Sequence, residues 1–462
     1  MIVASALFMQ NLDSTVIATA LPSMARAFGE DPLRMNVALT SYLLALAVFI
    51  PASGWVADRF GTRTVFRAAI AVFVFGSILC GRANSLEFLV FARVVQGMGG
   101  AMMVPVGRLV LLRATPKDQL VSAMAWLTMP ALIGPVVGPP LGGFIVDNAS
   151  WRWIFDINIP VGLLGIVLVT RFIEDVRDPD PAPFDGAGLL LSGVALASLI
   201  FAFETAGRGA VPRGVWVAAF AVGLGASLLY AVHARRRRRP ILDFALLRIP
   251  TFMVAVGAGN LFRIGVGAVP FLLPMLLQLG FGLSATESGA ITFASAAGAF
   301  VMKPAARTLL RRFGFRRVLV ANAVVAAALI AASALFHPGF PMVAMYAILL
   351  AGGFFRSLQF TAYNALAYAD IPPRRMGDAT SFYATAQQVS LTLGVAVAAA
   401  ALEIIVHANG RSAPVIPDFA GAFLVVGAIS MLAAVVGLRL PADAGSELSG
   451  QARSGSGRDT PQ

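Results

Sequence analysis

Charge is what this chain has least of. Lys, Arg, Asp and Glu make up 13% of its 462 residues, and 58% are hydrophobic. A soluble domain carries roughly 25% charged residues, so a water-soluble fold of this length is excluded. The single cysteine, Cys80, rules out an internal disulfide. His233, His337 and His407 lie far apart near the ends of apolar runs, so no metal cluster is visible. Only Lys117 and Lys303 are lysines, and neither follows a glycine. The Gly-Lys-Ser/Thr of a phosphate-binding loop is therefore missing, and with it an ATP motor within the chain. The opening residues lack the basic region of a signal peptide, whose apolar core Asp13 would interrupt.

What is present is a succession of apolar runs, each near the ~20 residues that cross a bilayer core. They predict an all-α polytopic membrane protein with fourteen transmembrane helices, near 1–25, 36–58, 64–84, 86–113, 120–146, 151–173, 185–205, 212–233, 251–278, 285–306, 318–336, 342–366, 378–406 and 418–440. The polar stretch 441–462 reads as a disordered cytoplasmic tail. With a cytoplasmic N-terminus the basic residues sort cleanly. Arg26, Arg34, Arg82, Arg152, Arg208, Arg213 and Arg411 fall outside, and Arg93, Arg108, Arg263 and Arg356 fall inside spans. The remainder of the 35, including Arg235 to Arg239, faces the cytoplasm, as the positive-inside rule requires. The net charge of +12 thus reports topology and contact with anionic headgroups, with no nucleic acid implied.

The sequence echoes itself. "DRFGTR" (58–63) resembles "RRFGFR" (311–316), and "TPKDQLVSA" (115–123) resembles "IPPRRMGDA" (371–379), at nearly equal separations. Two six-helix bundles, 1–173 and 251–440, would flank a two-helix insert and basic loop at 174–250. Parallel halves with a site between them are a known transporter plan.

Four stretches carry chemistry. "GWVADRFGTR" (54–63) ends the second span, with Asp58 placed to cap or pair and Gly61 to turn; an ordinary charged turn would look similar. "RVVQGMGGA" (93–101) puts Arg93, Gln96, Gly97 and Gly100 on one helical face. An arginine within a span costs about 2.5–3.5 kcal/mol on insertion scales, so it faces a partner or a cavity unless it snorkels. "GPVVGPPLGG" (134–143) spaces Gly134, Gly138 and Gly142 by four, beside Gly143, with Pro135, Pro139 and Pro140 interposed. Such a stripe admits a close neighbour, and the prolines bend the helix. "LDSTVIATALP" (12–22) places Asp13 within the first span, where an acid is expensive.

Together these stretches resemble the motifs of the major facilitator superfamily, in particular its fourteen-helix drug:proton antiporters. Gly54, Asp58, Arg59, Gly61 and Arg63 match the loop signature between the second and third helices. Residues 93–101 resemble the fourth-helix motif, 134–143 the exporters' fifth-helix motif, 12–22 the first-helix motif, and 151–160 the start of the sixth helix. The resemblance covers 1–440. Arg311 departs from it, standing where the second repeat would offer an acid. The resemblance implies a 6 + 2 + 6 fold and proton-coupled export of amphiphilic compounds by alternating access, without enzyme activity, cofactor or metal. Asp13 and Arg93 would couple the proton, and the 54–63 residues would gate the conformational change. Gln10, Gln96, Arg108, Asn260, Arg263, Arg356, Gln359, Asn364, Gln387 and Gln388 are cavity candidates, although helix-to-helix hydrogen bonding would account equally for each amide. The expected partners are protons, a small-molecule substrate and the inner-membrane bilayer, for a monomer working alone or with envelope accessory proteins. A proton-coupled importer of a small anion and a transport-dead sensor or scaffold are the alternatives.

Overall fold

The computed structural model describes residues 2–30, 34–205 and 211–449. They are helical almost throughout. The first series comprises α1 (Ile2–Phe28), α2 (Asn36–Phe49), α3 (Ser53–Phe60), α4 (Thr62–Gly81), α5 (Leu86–Ala114), α6 (Leu120–Asn148), the short α7 (Trp153–Asp156) and α8 (Asn158–Phe172). A hairpin of α9 (Gly186–Thr205) and α10 (Arg213–Arg236) follows. The second series is α11 (Pro250–Met275), α12 (Ala285–Phe313), α13 (Phe315–Ala332), α14 (Met342–Leu366), α15 (Met376–Ala408) and α16 (Ile416–Gly437).

Among the described residues, eleven helices are long and apolar enough to cross a membrane, or up to twelve when the bent pair Ile2–Ile17 and Ala20–Phe28 counts as one span. The expected runs 120–146 and 285–306 form α6 and α12, of 29 residues each. Lys303, Arg307, Arg311 and Arg312 make one end of α12 markedly less apolar than its neighbours.

Local chemistry sets the boundaries. The Ser85 hydroxyl accepts from the Phe88 amide and starts α5. Ser284 and Glu287 satisfy each other's backbone donors in a capping box at α12. The sequence echo has a geometric counterpart. Gly61 (φ 93°) separates α3 from α4, and Gly314 (φ 77°) separates α12 from α13. Only glycine adopts such a backbone without strain. Likewise the 3-10 turns Lys117–Gln119 and Pro373–Arg375 introduce α6 and α15.

Within the first series α1 packs on α6, α4 and α2 pack on α5, and α8 contacts α4 and α1. In the second series α12 and α13 pack on α14, while α11 lies against α15 and α16. The two series meet where α6 touches α12 and α14, and where α3 and α5 touch α15. The α9–α10 hairpin lies to one side, with α9 against α2 and α15. Leu163, Leu164 and Val167 on α8, and Val222, Leu224, Leu228 and Leu229 on α10, are exposed. Helices with saturated backbones and apolar outer faces suit a lipid surround.

Part of the expected disordered tail is folded. Within 441–449, Ser446–Ser449 forms a helical turn, Leu448 is buried, and Gly445 lies against the Phe315 ring. The apolar Leu448 gives this stretch something to bury. Residues 450–462 of that expectation lie outside the described residues.

Candidate functional site

Asp13 and Arg93 meet. A guanidinium Nη1 of Arg93 lies 2.7 Å from Oδ2 of Asp13, and neither side chain has any exposed surface. The fourth-helix face read from the sequence supplies the rest: Gln96, one turn from Arg93 on α5, donates to Asp13 Oδ1 at 2.9 Å and accepts from Arg93 at 2.6 Å. Asn158, the first residue of α8, donates to Asp13 Oδ1 at 3.0 Å and to Ser77 at 2.9 Å. Arg93 also donates to the Ala38 carbonyl and lies over the Tyr42 ring at 4.2 Å. All three side-chain partners of Asp13 are donors. Gln96, a cavity candidate by sequence, is wholly committed to this network, because the helix turn that aligns it with Arg93 aims it at the acid. Ser77 and Asn158 were not singled out: Ser77 is a lone small polar residue in an apolar run, and Asn158 lies within the stretch 151–160 beside Asp156, so their part shows only when α1, α4, α5 and α8 converge.

The stripe on α6 packs against the helix that carries Asp13. A Cβ placed on Gly134 would lie 2.9 Å from the Asn11 Cβ, and one on Gly138 would lie 2.2 Å from the Thr15 hydroxyl. Thr15 donates to the Gly134 carbonyl at 3.2 Å. Gly142 is buried, whereas Gly143 has open space in front of it. Pro135 and Pro139 lie outside the residues whose side chains are described.

The 54–63 stretch lies at the contact between the two series. Gly54 approaches the backbone of Gly377 so closely that an added Cβ would stand 2.2 Å from the Gly377 carbonyl oxygen. The Asp58 carboxylate pairs with Arg113 at 2.7 Å and sits against Gly377, in the first turn of α15. A carboxylate there is favoured by the helix dipole. Arg59 is exposed and Arg63 half-buried. The segment 173–185 clasps the same corner: Asp175 accepts from Thr64 beside Gly61, and Trp55 donates to the Ala182 carbonyl at 2.7 Å. Burial alone would raise the Asp175 carboxyl, but hydrogen bonds from Arg177 and Thr64 outweigh it and hold the group below the usual range.

The second-half candidates divide. Arg108 of α5 reaches across to Tyr368 at 3.2 Å and Gln387 at 3.3 Å. Arg263 donates to Tyr383 and to Asn260, and both arginines lie over the Tyr383 ring. Arg356 donates to Ser295. Gln359 instead ties α14 to α13, donating to the Leu319 carbonyl and accepting from Asn322, and donates to Tyr363 one turn along its own helix. Gln10 and Gln388 are half-buried. Asn364 is fully buried, with neither amide atom hydrogen-bonded.

The sequence profile of the Major Facilitator Superfamily matches residues 3–395 and, in a second match, 255–458. The chain belongs to the Major Facilitator Superfamily. It is a secondary active transporter and a multi-pass protein of the inner membrane. It is 40% identical over 458 residues to the putative multidrug resistance protein MdtD of Klebsiella pneumoniae (strain 342), covering 96% of this chain and 95% of that protein. The protein of the same description in Pectobacterium atrosepticum is 40% identical over 441 residues, covering 96% and 93%. Among solved structures, the human organic anion transporter MFSD10 (TETRAN) aligns at 14% identity with a TM-score of 0.67, covering 94% of this chain and 98% of that one. The proton:xylose symporter XylE aligns at 13% identity with a TM-score of 0.66, covering 97% and 96%. At these identities the two structures establish the shared fold alone.

One deep cation of this superfamily member was not foreseen as a site residue. Lys303, 6% exposed, donates to Thr128 of α6 at 2.7 Å and to Thr361 of α14 at 3.3 Å. In the sequence it stands beside the basic end of its span, where it reads as an ordinary loop-side charge. Only the approach of α6 to α12 encloses it.

Proposed function

We propose that this transporter is a proton-coupled exporter of amphiphilic compounds, working by alternating access with fourteen spans arranged 6 + 2 + 6. The halves are 1–173 and 251–440, and 174–250 holds the insert. The observation that carries the reading is the fully buried Asp13–Arg93 pair. Two charges in a dry, three-donor setting are retained at a cost of several kcal/mol per ion, which a packing role alone does not require. Arrival of a proton at Asp13 breaks the pair and frees Arg93 and Gln96, and its loss restores them. Because Asn11 and Thr15 of α1 pack on α6, a change at Asp13 is transmitted to the helix that touches α12 and α14. The names of the MdtD relatives support export of drug-like compounds.

The basic end, with Arg235 to Arg239, is taken as cytoplasmic, as are both termini. Links between the halves gather there: Asp58 against Gly377, and Asp118 with Arg307 at 3.9 Å. The conformation is thus closed toward the cytoplasm. Gly54, Asp58, Arg59, Gly61 and Arg63 act as its gate. One proton moving through 100 mV supplies about 2.3 kcal/mol, enough for an approximately 50-fold gradient of a neutral solute. Reconstituted vesicles tested with a panel of amphiphilic dyes are expected to accumulate at least one against its gradient when a pH difference is imposed. Movement that only dissipates dye gradients, whatever the pH difference, would exclude coupling.

A further inference from the structure

Four basic side chains lie deep in the second half and at its contact with the first: Arg108 (3% exposed), Arg263 (1%), Lys303 (6%) and the half-buried Arg356. Among the described residues none of the four is paired with a carboxylate. The buried acids are committed elsewhere: Asp13 to Arg93, Asp58 to Arg113, Asp185 to His233 and Asp418 to Arg411. The four cations have only neutral partners, in Tyr368, Gln387, Tyr383, Asn260, Thr128, Thr361 and Ser295. The Nε donors of Arg108 and Arg263 are buried without any partner.

The cations also converge. Arg108 and Arg263 stand 5.4 and 4.7 Å from the centre of the same ring, Tyr383. Arg263 also lies 5.4 Å from the Phe360 ring, one turn along α14 from Arg356 and next in sequence to the Lys303 partner Thr361. Tyr368 meets Tyr383 edge-on at 5.8 Å. Uncompensated cations within a membrane protein are costly and mark the path of a charged ligand, and aromatic rings beside them supply apolar surface.

We infer that the substrate is an organic anion, an amphiphile whose carboxylate or sulfonate is received between Arg108 and Arg263 and whose apolar body lies along Tyr383 and Phe360. This rests on the exporter reading for the direction of transport, but not for binding. Asp13 attracts no cationic drug, because Arg93 already neutralises it.

The test measures binding to purified protein in nanodiscs, using carboxyfluorescein, a cationic rhodamine ester and an uncharged fluorescein diether. The anion is expected to bind at least about tenfold tighter than the cation, as a charge-assisted hydrogen bond allows. Arg263→Gln and Arg108→Gln should each remove about that factor for the anion and leave the uncharged dye unaffected. Arg263→Lys, which keeps the charge, should lose less. Equal or tighter binding of the cation, no binding of the anion, or equal weakening of charged and uncharged dyes overturns the inference. The wild-type comparison decides the matter even if a variant fails to fold. Should the cation be bound and driven out by a pH gradient, the anion site falls while the exporter stands. Should the anion bind and neither dye respond to the gradient, the exporter falls while the site stands.

Discussion

Asp13 is an unusual residue for a helix in lipid, and its partner explains why it is tolerated. Within the described structure its charge faces Arg93 and two amides, never lipid. This changes what a substitution at Asp13 does. Asp13→Asn removes one member of a dry ion pair and leaves Arg93 uncompensated, which typically costs about 3–5 kcal/mol. The single variant is therefore expected to unfold earlier as well as to lose proton-driven transport. Replacing both charges, as Asp13→Asn with Arg93→Gln, keeps hydrogen-bonding groups in place without a buried ion. The double variant should regain most of the thermal stability, measured by unfolding in detergent, yet accumulate no substrate under a pH gradient. If it transports at the wild-type rate, the proton travels by another route. The acid and the arginine were both legible in the sequence, since each is an ionisable group within an apolar run. Their union was not, because residues 80 positions apart on two helices carry no mutual signal in one chain.

The pairing of α1 with α6 shows how an element's small residues are used. The glycines at spacing four indicated a close neighbour without saying which helix it was. Gly134 and Gly138 lie against Asn11 and Thr15, on either side of Asp13 in sequence, while Gly143 faces open space. One motif therefore contains a position that cannot accept a side chain and one that can. Gly138→Leu would drive a Cβ into the Thr15 hydroxyl and displace the helix bearing Asp13; overpacking of this kind costs about 1–3 kcal/mol. Transport should fall to background although the protein reaches the membrane. Gly143→Ala should transport normally and be slightly more stable, by up to about 1 kcal/mol of helix propensity. A Gly138→Leu protein that transports like wild type would reduce the α1–α6 contact to passive packing. The turn in 54–63 was legible for a different reason. The turn at Gly61 needs a backbone that glycine alone supplies, and the second repeat uses Gly314 in the same way. Lys303 was passed over, and Gln359 left open between cavity and helix contact, because depth and facing direction, rather than residue type, decide what a polar side chain does in a membrane bundle.

At the scale of the whole molecule, the links gathered at one end of the bundle imply a motion. A rigid rocking of two halves must break every bridge on the end that opens. Asp118, in the turn before α6, and Arg307 of α12 face each other across the halves at 3.9 Å and are about half exposed. They are accessible to reagents on their own side of the membrane and lie outside the Asp13 network. Cys80 is buried and is removed as Cys80→Ala so that no other thiol reacts. In that background, Asp118→Cys with Arg307→Cys gives a pair that a short, membrane-impermeant bismaleimide can bridge. Applied to inside-out vesicles, the reagent is expected to link the halves and stop transport, while either single cysteine variant continues to work after treatment. Applied outside intact cells it should do neither, because the proposed orientation puts the basic end in the cytoplasm. Linking from outside would invert the orientation derived from the arginines. A fully linked protein that still transports would show that this end never opens, and alternating access by rocking would have to be abandoned.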